Sequence, residues 1–546
     1  MEYTSLAQQL ITKRFKSIFY ALAASCLTTP ALALPSSLGS AGIDALKLQA
    51  APYNLTGRKI AIGQVEIGRP GYFGLDKTAS PNLWLSLARV FYRDTPAKSN
   101  SEVDGHASMV AGVMVSNDKA IPGVAPKALL YSSAVGSPKT SGQPEECLAT
   151  QYVAQQNGGD LRAINFSFGE PLDTDTKARA VLDGKALLTQ CVDWSARVHD
   201  VVYVVAGNQG KGGIPIPTDN FNAVNVAYTT RRDSLFTKVD FPNLSDTPVG
   251  VARPLLDREI NVGGRRSISI LAPGANLNLY DLKGKVTRVS GTSFAAPHVT
   301  GSVALLQEFG DRQLKSRQPR WSTDARRHEV MKAVLLNSAE KIQDAGDGLR
   351  LGMSRTILAK NNTNWLDSDA YKDPKIPLHY QMGAGQLNVF RAYQQFSPGK
   401  WSGTAPTGDN KGVAPIAWDY SSVKASNYQD YVLEQPLQQG SFVSITLAWD
   451  RKVELKDSNK NGQYDIGEGF SDRGLNNLDI YLMRAEDNDT SKSIWSSQSD
   501  VDSVEHIFHK IPANGRYKIR VQFRQRVNDD TQPYALAWWS IPVKNK

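Results

Sequence analysis

Short apolar runs alternate with amphipathic stretches between Lys59 and about Tyr393. Four runs are nearly all apolar and composed largely of residues that favour β-strands: Ile60–Ile62, Leu129–Tyr131, Ala163–Phe168 and Val201–Val205. Strands without a polar face are typical of a parallel sheet that helices cover on both faces. The pattern therefore predicts buried parallel strands in this part of the chain.

Helices are predicted between and after these strands. Their ranges are His106–Val115, Thr176–Leu188 and Asp324–Ile342, the last with Ser322 or Thr323 as N-cap. Alternation of strands and helices indicates an α/β fold, a mainly parallel twisted sheet with helices on both faces. Ligands of such sheets bind at the carboxyl ends of the strands, so we expect the functional residues there.

The pattern changes near Ser397-Pro398-Gly399. Apolar residues then alternate with small or polar ones in three segments, Val443–Trp449, Leu478–Leu482 and Tyr517–Phe523. A period of two with turn residues between the segments predicts an antiparallel β-sandwich. We therefore expect one α/β domain over residues 34–398 and a second, β-sandwich domain over residues 399–546.

Composition excludes several classes of protein. The 546 residues are 41% apolar and 21% charged, as in soluble folded proteins of two or three domains. The formal net charge is +9, but Lys and Arg are scattered rather than clustered, so no nucleic-acid partner is expected. No segment approaches the length of a membrane span, so no stable membrane insertion is expected. We also expect the protein to be a monomer.

The first 33 residues have the pattern of an export signal. The basic residues Lys13, Arg14 and Lys16 precede an apolar run, Ser17–Leu27, and the small-residue site Ala31-Leu32-Ala33 follows. This predicts a secreted or periplasmic protein that begins at Leu34 after cleavage. A buried helix and a lipoprotein site at Cys26 are the alternatives.

Two cysteines, Cys147 and Cys191, remain after such cleavage. In an oxidising compartment they could form a disulfide, or they could be two small buried thiols. The sequence leaves both open.

The segment Val289–Gly301, VSGTSFAAPHVTG, carries the strongest chemical signal. A Ser between Gly-Thr and a run of small residues fits a turn that enters a helix. There the backbone N–H groups and the helix dipole favour a developing oxyanion. The segment resembles the nucleophile motif of subtilisin-like serine peptidases (the subtilase family), which implies that Ser293 is the nucleophile.

A nucleophilic serine needs a neutral base and a group that orients the base. Asp104–Gly112, DGHASMVAG, resembles the family's histidine motif and implies that His106 is the base. The family's orienting acid stands in an Asp-x-Gly sequence after an apolar strand, where this chain has Glu66-Ile67-Gly68. Glu66 is the expected third member although it replaces Asp, and Asp76 is the alternative.

The resemblance implies further site residues and covers residues 55 to 395. Asn208 follows an apolar strand as the family's oxyanion asparagine does, and its side-chain amide would act with the Ser293 N–H. Ser167, Phe168 and Gly169 resemble the strand that pairs with an extended peptide or protein substrate. We expect no charged lining near Phe168-Gly169 that would fix the cleavage site.

A second motif lies in the predicted β-sandwich, at residues 457–468, DSNKNGQYDIGE. Oxygen-bearing side chains occupy loop positions one, three, five, nine and twelve, and Gly stands at six, as in the calcium loop of EF-hands. The flanks are strand-like rather than helical. We therefore expect one structural Ca²⁺, bound by Asp457, Asn459, Asn461, Asp465, Glu468 and the Gln463 carbonyl. A solvated polar turn is the alternative.

These residues predict a secreted serine endopeptidase that hydrolyses peptide bonds through an acyl-enzyme. An inactive subtilase fold that only binds peptides is one alternative, because Glu replaces Asp at position 66. A surface-binding β-sandwich with a subsidiary protease is another. No catalytic metal is expected, because the chain has neither a His-Glu-x-x-His nor a Cys-x-x-Cys pattern.

Overall fold

A computed structural model describes residues 33–80, 84–137, 139–177, 180–207, 215–239, 260–406, 408 and 412–544. The predicted signal-peptide core, residues 1–32, lies outside these ranges. In the described part of the chain, no helix is both long and apolar enough to cross a membrane.

A ten-stranded sheet forms the centre of the first 400 residues. Its order is β12-β8-β7-β6-β5-β1-β4-β2-β3, and β9 also pairs with β7. All pairs are parallel except β2–β3 and β7–β8. The strands are β1 (Ala61–Glu66), β2 (Leu87–Tyr92), β3 (Thr95–Pro96), β4 (Leu129–Ala134), β5 (Leu161–Phe166), β6 (Val202–Ala206), β7 (Val224–Arg232), β8 (Leu235–Lys238), β9 (Ile270–Pro273) and β12 (Thr356–Leu358). The predicted α/β class is confirmed.

The four apolar runs are strands β1, β4, β5 and β6. Every residue of β1 and β5 is buried, because helices cover both faces of the sheet. The helices are α1 (Ala33–Leu38), α2 (Ala45–Gln49), α3 (Gly105–Val115), α4 (Gln143–Ala154), α5 (Gln156–Gly159), α6 (Leu187–His199), α7 (Thr292–Lys315), α8 (His328–Asn337), α9 (Asp369–Lys372) and α10 (Val389–Phe396). A hairpin of β10 (Leu277–Tyr280) and β11 (Val286–Val289) precedes α7.

The segment between the predicted cleavage site and β1 is part of the fold. Leu38, Ile43 and Leu48 are fully buried in the main core. The Ser37 hydroxyl is hydrogen-bonded to Nε2 of His298, a buried residue of α7, at 2.9 Å. This segment therefore contributes to the core, and Ser37 links it to the helix that begins at Thr292.

The predicted helix Thr176–Leu188 is wrong, since the helix in this region is α6 and begins at Leu187. Gly184 stops any earlier helix because its φ is +78° and its N–H donates to the buried Asp219 carboxylate at 2.7 Å. A Cβ at Gly184 would lie 2.7 Å from the Phe221 ring, so this position has no room for another residue.

The predicted helix Asp324–Ile342 is broken into two pieces. Ser322 caps a 3₁₀ turn, Thr323–Arg326, as one of the two predicted caps, and α8 then runs from His328 to Asn337. Arg327 is extended between them, with ψ of 134°. The break follows from Asp200, which accepts the backbone N–H of His328 at 2.9 Å and so turns the chain.

Two four-stranded antiparallel sheets make up the C-terminal region, as the period of two predicted. Their orders are β13-β22-β15-β20 and β14-β21-β18-β19. The strands are β13 (Ile416–Lys424), β14 (Tyr428–Val432), β15 (Phe442–Ala448), β18 (Asn477–Arg484), β19 (Trp495–Ser497), β20 (Val504–Lys510), β21 (Tyr517–Gln525) and β22 (Thr531–Trp539). A small pair, β16 (Val453–Leu455) and β17 (Phe470–Asp472), flanks residues 457–468.

Apolar and polar residues alternate along β15, which predicts one buried face, but both faces of this strand are buried. Ser444 and Thr446 would face water in an isolated sandwich, yet all seven residues of β15 are buried. The Ser444 hydroxyl donates to the carbonyl of Asn337 at 3.0 Å, and Thr446 donates to the Asn337 side chain at 3.1 Å. This face of the sheet therefore packs on α8 of the N-terminal part.

Arg451 and Asp450 extend the same interface. The Arg451 guanidinium is buried, donates to Asp193 of α6 and to the Gly184 carbonyl at 2.8 Å, and lies 4.3 Å from the Phe221 ring centre. His328 Nδ1 lies 2.8 Å from Asp200 and its Nε2 lies 2.9 Å from Asp450. Burial lowers the pKa of His328, but Asp450 and the neighbouring carboxylates outweigh burial and raise it well above its usual range. A charged imidazole therefore joins the two parts.

Candidate active site

Three elements end or begin at one edge of the central sheet. Glu66 is the last residue of β1, His106 is the second residue of α3, and Ser293 is the second residue of α7. All three line one cleft of 720 Å³. The position agrees with the rule that functional groups of parallel sheets lie beyond the carboxyl ends of the strands.

His106 and Glu66 form a close pair. His106 Nδ1 lies 3.5 Å from Glu66 Oε2, and the side chains are 39% and 2% exposed. Two contacts fix α3 beside β1: Gln64 of β1 donates to the Ala107 carbonyl at 2.9 Å, and Asp104 caps α3 by accepting the Ala107 N–H at 2.7 Å. The imidazole is thus held by a rigid strand and a capped helix.

The pair shifts both pKa values. Burial raises the pKa of Glu66, and the charge and hydrogen bond of His106 offset part of that effect. Burial lowers the pKa of His106, but the charge and hydrogen bond of Glu66 outweigh burial and raise it above its usual value. The carboxylate therefore favours a proton on His106, as an orienting acid does.

Ser293 lies at the N-terminus of a 24-residue helix. Its hydroxyl donates to the Ser167 carbonyl at 3.3 Å, and the Ser167 hydroxyl donates to the Ser293 carbonyl at 2.9 Å. The His106 ring lies against Phe294, with ring centres 5.4 Å apart. Among the described residues, no hydrogen bond joins Ser293 to His106, which is common before substrate is bound.

The predicted substrate strand borders the same cleft. Ser167, Phe168 and Gly169 follow β5 and line the cleft wall. Phe168 is buried and stacks on Phe166 at 5.2 Å between ring centres. The Ser167 hydroxyl also accepts a hydrogen bond from Asn165 at 2.8 Å, which fixes the strand end beside Ser293.

Asn208 lies outside the described residues. Strand β6, which pairs with β5, ends at Ala206.

Asp76 has a different set of partners from Glu66. Its carboxylate binds the buried Arg69 guanidinium through two hydrogen bonds of 2.7 and 2.8 Å. It also accepts the N–H groups of Tyr72 and Asn100, each at 2.8 Å. Asp76 is not among the described residues that line the cleft. The structure places Glu66, and not Asp76, beside His106.

The sequence did not reveal one wall of the cleft. The first turn of α4 and the residues before it also line the cleft, together with Glu170, which follows the predicted substrate strand. The expectation of an uncharged lining near Phe168-Gly169 is therefore wrong, because Glu170 and Asp175 border this cleft. A signal was present, since Pro144 and Glu145 suit the first turn of a helix.

Cys147 of α4 and Cys191 of α6 form a disulfide. The bond lies in a small core that also contains Trp194 and, from the C-terminal region, Tyr464 and Phe470. Of the two alternatives that the sequence left open, the structure contains the disulfide.

The loop 457–468 lies between β16 and β17, so its flanks are strands. Asp457 accepts the Gly462 N–H at 2.8 Å, and Gly462 has φ of +75°, which permits the sharp turn. The amides of Asn459 and Asn461 both donate to Asp465 at 2.7 Å.

Glu468 closes this loop. It accepts the backbone N–H and the hydroxyl of Ser458, each at 2.7 Å, and these hydrogen bonds lower its pKa. The predicted donor set is therefore gathered within one turn of exposed chain. Oxygen donors of this kind suit Ca²⁺.

Another cluster of side chains could in principle hold a metal ion. It consists of Asp200, His328 and Glu329, whose potential ligand atoms lie within 4.8 Å of one another. Both ring nitrogens of His328 already contact carboxylates, at 2.8 and 2.9 Å. The group is thus accounted for as the ion cluster between the two parts of the protein.

Comparisons with known proteins match part of this chain. The model of the subtilase family matches residues 76–354, which include His106 and Ser293 and begin after Glu66. The major intracellular serine protease of Bacillus subtilis (strain 168) is 27% identical over 215 residues, 38% of this chain and 57% of that protein. Subtilisin DY of Bacillus licheniformis is 28% identical over 209 residues, 38% of this chain and 65% of that protein.

The matched part of the chain thus spans less than two thirds of each of these two relatives. The solved structure of the prenylagaramide maturation protease PagA aligns with 64% of this chain and 97% of its own, at 20% identity and a TM-score of 0.41.

Proposed function

The chain belongs to the subtilase family of serine peptidases, and from that premise we propose that it is a secreted endopeptidase acting through an acyl-enzyme on Ser293. One observation carries the proposal. The Glu66 carboxylate lies 3.5 Å from His106 Nδ1, while His106 and Ser293 line one cleft. An acid, a base and a nucleophile in that order are what acyl transfer to serine requires.

Glu66 sets the tautomer of the base. A proton on Nδ1 points to the Glu66 carboxylate and leaves Nε2 as an acceptor toward the cleft. The Ser293 hydroxyl, which donates to the Ser167 carbonyl in the free enzyme, must turn to His106 when substrate binds. His106 then takes the hydroxyl proton as Oγ attacks the scissile carbonyl.

The oxyanion forms at the N-terminus of α7. The Ser293 N–H and the helix dipole favour negative charge there, and the Asn208 amide is the second proposed donor. Collapse of the tetrahedral species breaks the C–N bond, and His106 returns the proton to the leaving amine. Water repeats the sequence on the acyl-enzyme and releases the acid.

The substrate is proposed to be an extended peptide or protein segment. The chain at Ser167–Gly169 follows the buried strand β5 and borders the cleft, so its backbone can pair with an added strand.

Labelling with an active-site phosphonate tests the proposal, because only an activated serine reacts. We expect the full chain to be labelled and to hydrolyse an unfolded protein substrate. Ser293→Ala should do neither and should keep the circular dichroism spectrum of the wild type. If the wild-type chain is not labelled but still binds peptides, the protein is the inactive peptide-binding fold.

We also propose that loop 457–468 binds one structural Ca²⁺ and that the protein is exported. The ligand set is Asp457, Asn459, Asn461, Asp465 and Glu468 with the Gln463 carbonyl. Backbone N–H groups already orient Asp457 and Glu468, which supports the first proposal. The Cys147–Cys191 disulfide supports the second, since such bonds persist in oxidising compartments.

A further inference from the structure

Glu170 occupies a particular position in the cleft. It follows the substrate strand directly, and its backbone N–H and carbonyl both bond to Ile216, at 2.8 and 3.1 Å. The backbone N–H and carbonyl of Glu170 are therefore both hydrogen-bonded within the protein and cannot pair with a peptide. Glu170 is nevertheless among the residues that line the cleft, although it is only 6% exposed.

A second carboxyl group lies behind Glu170. Glu146, in the first turn of α4, is 1% exposed, and its carboxyl group lies near that of Glu170. Burial and the contact with Glu170 raise the pKa of Glu146 well above its usual value. Two carboxyl groups in contact do not both ionise readily, so the Glu146–Glu170 pair carries one negative charge next to the cleft.

The other acids of the cleft already have partners. Glu66 faces His106, and Asp104 caps α3. Asp175 accepts the Lys177 N–H at 3.1 Å and lies 3.7 Å from the Lys177 ammonium. Among the lining residues that the structure describes, there is no Lys or Arg. Glu170 is therefore the lining carboxyl group that has no ion pair with a cation of the described chain.

We propose that Glu170 is a specificity-determining residue that selects a cationic side chain, Lys or Arg, in the peptide substrate. This inference rests on the proposed peptidase function. A lysine or arginine entering the cleft would form a charge-assisted hydrogen bond with Glu170 in a site largely shielded from water. A neutral side chain of the same length would leave that carboxylate unpaired, and an acidic one would repel it.

Matched peptides test this on the full-length protein. Each pair carries lysine or norleucine at one of the four positions on the amino-terminal side of the scissile bond. We expect kcat/KM to favour lysine about tenfold or more at one of these positions, as for hydrogen bonds to charged groups. Glu170→Gln should reduce that ratio to near one. Asp173→Asn, an exposed charge change three residues away, should leave the ratio unchanged.

Two further variants keep the test decisive if Glu170→Gln does not fold. Glu170→Asp retains the charge and should retain a preference for lysine. Glu146→Gln leaves the one negative charge of the pair on Glu170 and should do the same. A wild-type enzyme that cleaves norleucine peptides as well as lysine peptides at every position overturns this inference and leaves the peptidase function standing. A wild-type chain that cleaves neither peptide and takes no phosphonate label overturns both.

Discussion

The backbone of Tyr464 and the side-chain amide of Gln151 form two reciprocal hydrogen bonds. The Tyr464 N–H donates to Gln151 Oε1 at 2.5 Å, and Gln151 Nε2 donates to the Tyr464 carbonyl at 3.1 Å. Tyr464 belongs to the loop 457–468, and Gln151 belongs to α4, whose first turn borders the cleft. One helix therefore contacts the proposed calcium loop and also borders the cleft.

Gln151→Ala should destabilise the protein by about 1–3 kcal/mol, because it leaves a buried N–H and a buried carbonyl unpaired. Urea unfolding measures the loss. Gln156→Ala is the matched control, since its amide bonds only to the Tyr152 carbonyl at the end of the same helix. It should change the unfolding free energy by less than about 0.5 kcal/mol. Equal effects of the two changes would show that the docking contact contributes nothing.

Glu66→Gln should lower kcat steeply, by about three to four orders of magnitude, with little change in KM. The amide cannot hold His106 in the required tautomer or balance its charge. Steady-state kinetics on one peptide measure both constants. Asp76→Asn should instead weaken the fold through the Arg69 pair and leave kcat per folded molecule unchanged. A large fall in kcat for Asp76→Asn alone would make Asp76 the orienting acid.

Glu66→Gln should also shift the acid limb of the pH profile of kcat/KM. The base must be neutral, so kcat/KM rises as pH increases through the His106 pKa. Burial lowers that pKa, and Glu66 raises it above the usual value by outweighing burial. Glu66→Gln removes the raising charge, so the limb should shift to lower pH. Residual kcat/KM measured between pH 4 and 9 tests this, and a shift to higher pH would contradict the role of Glu66.

Removal of calcium should lower the melting temperature but not the intrinsic rate at Ser293. A ligand that binds only the folded state stabilises it by about 2.7 kcal/mol at a hundredfold excess over Kd. Melting curves with millimolar Ca²⁺ and with EDTA measure the difference. Glu468→Gln should abolish it, whereas Glu454→Gln, on the flanking strand β16, should not. Identical curves for the wild type would make the loop a polar turn.

Export and the disulfide can be measured on the same material. The intact mass of protein recovered outside the cytoplasm should correspond to a chain beginning at Leu34. The same chain should take up no alkylating reagent before reduction and two equivalents after it, at Cys147 and Cys191. An unprocessed cytoplasmic product with three reactive thiols, Cys26 included, would contradict both expectations.

The sequence predicts those parts of the fold that depend on residues close together in the chain. Strand β1 and helix α3 follow from apolar runs, and Ser293 and His106 follow from short motifs. The cleft wall formed by α4 was missed because its partner, Glu170, lies beyond an intervening strand. The helix over Thr176–Leu188 was predicted wrongly because the spacing of its apolar residues is typical of an amphipathic helix. The conformation of Gly184 within it depends on partners far away in the sequence, Asp219 and Arg451.

The Asp193–Arg451 pair has a consequence for the order in which the protein is made. Asp193 is buried, and its cationic partner lies 258 residues further along the chain. A buried carboxylate without a cation is strongly destabilising, so α6 cannot settle in its final place while residue 451 is still unsynthesised. The same delay applies to His328, which awaits Asp450. We therefore expect the growing chain to contain all of the proposed catalytic residues long before it has the proposed peptidase activity.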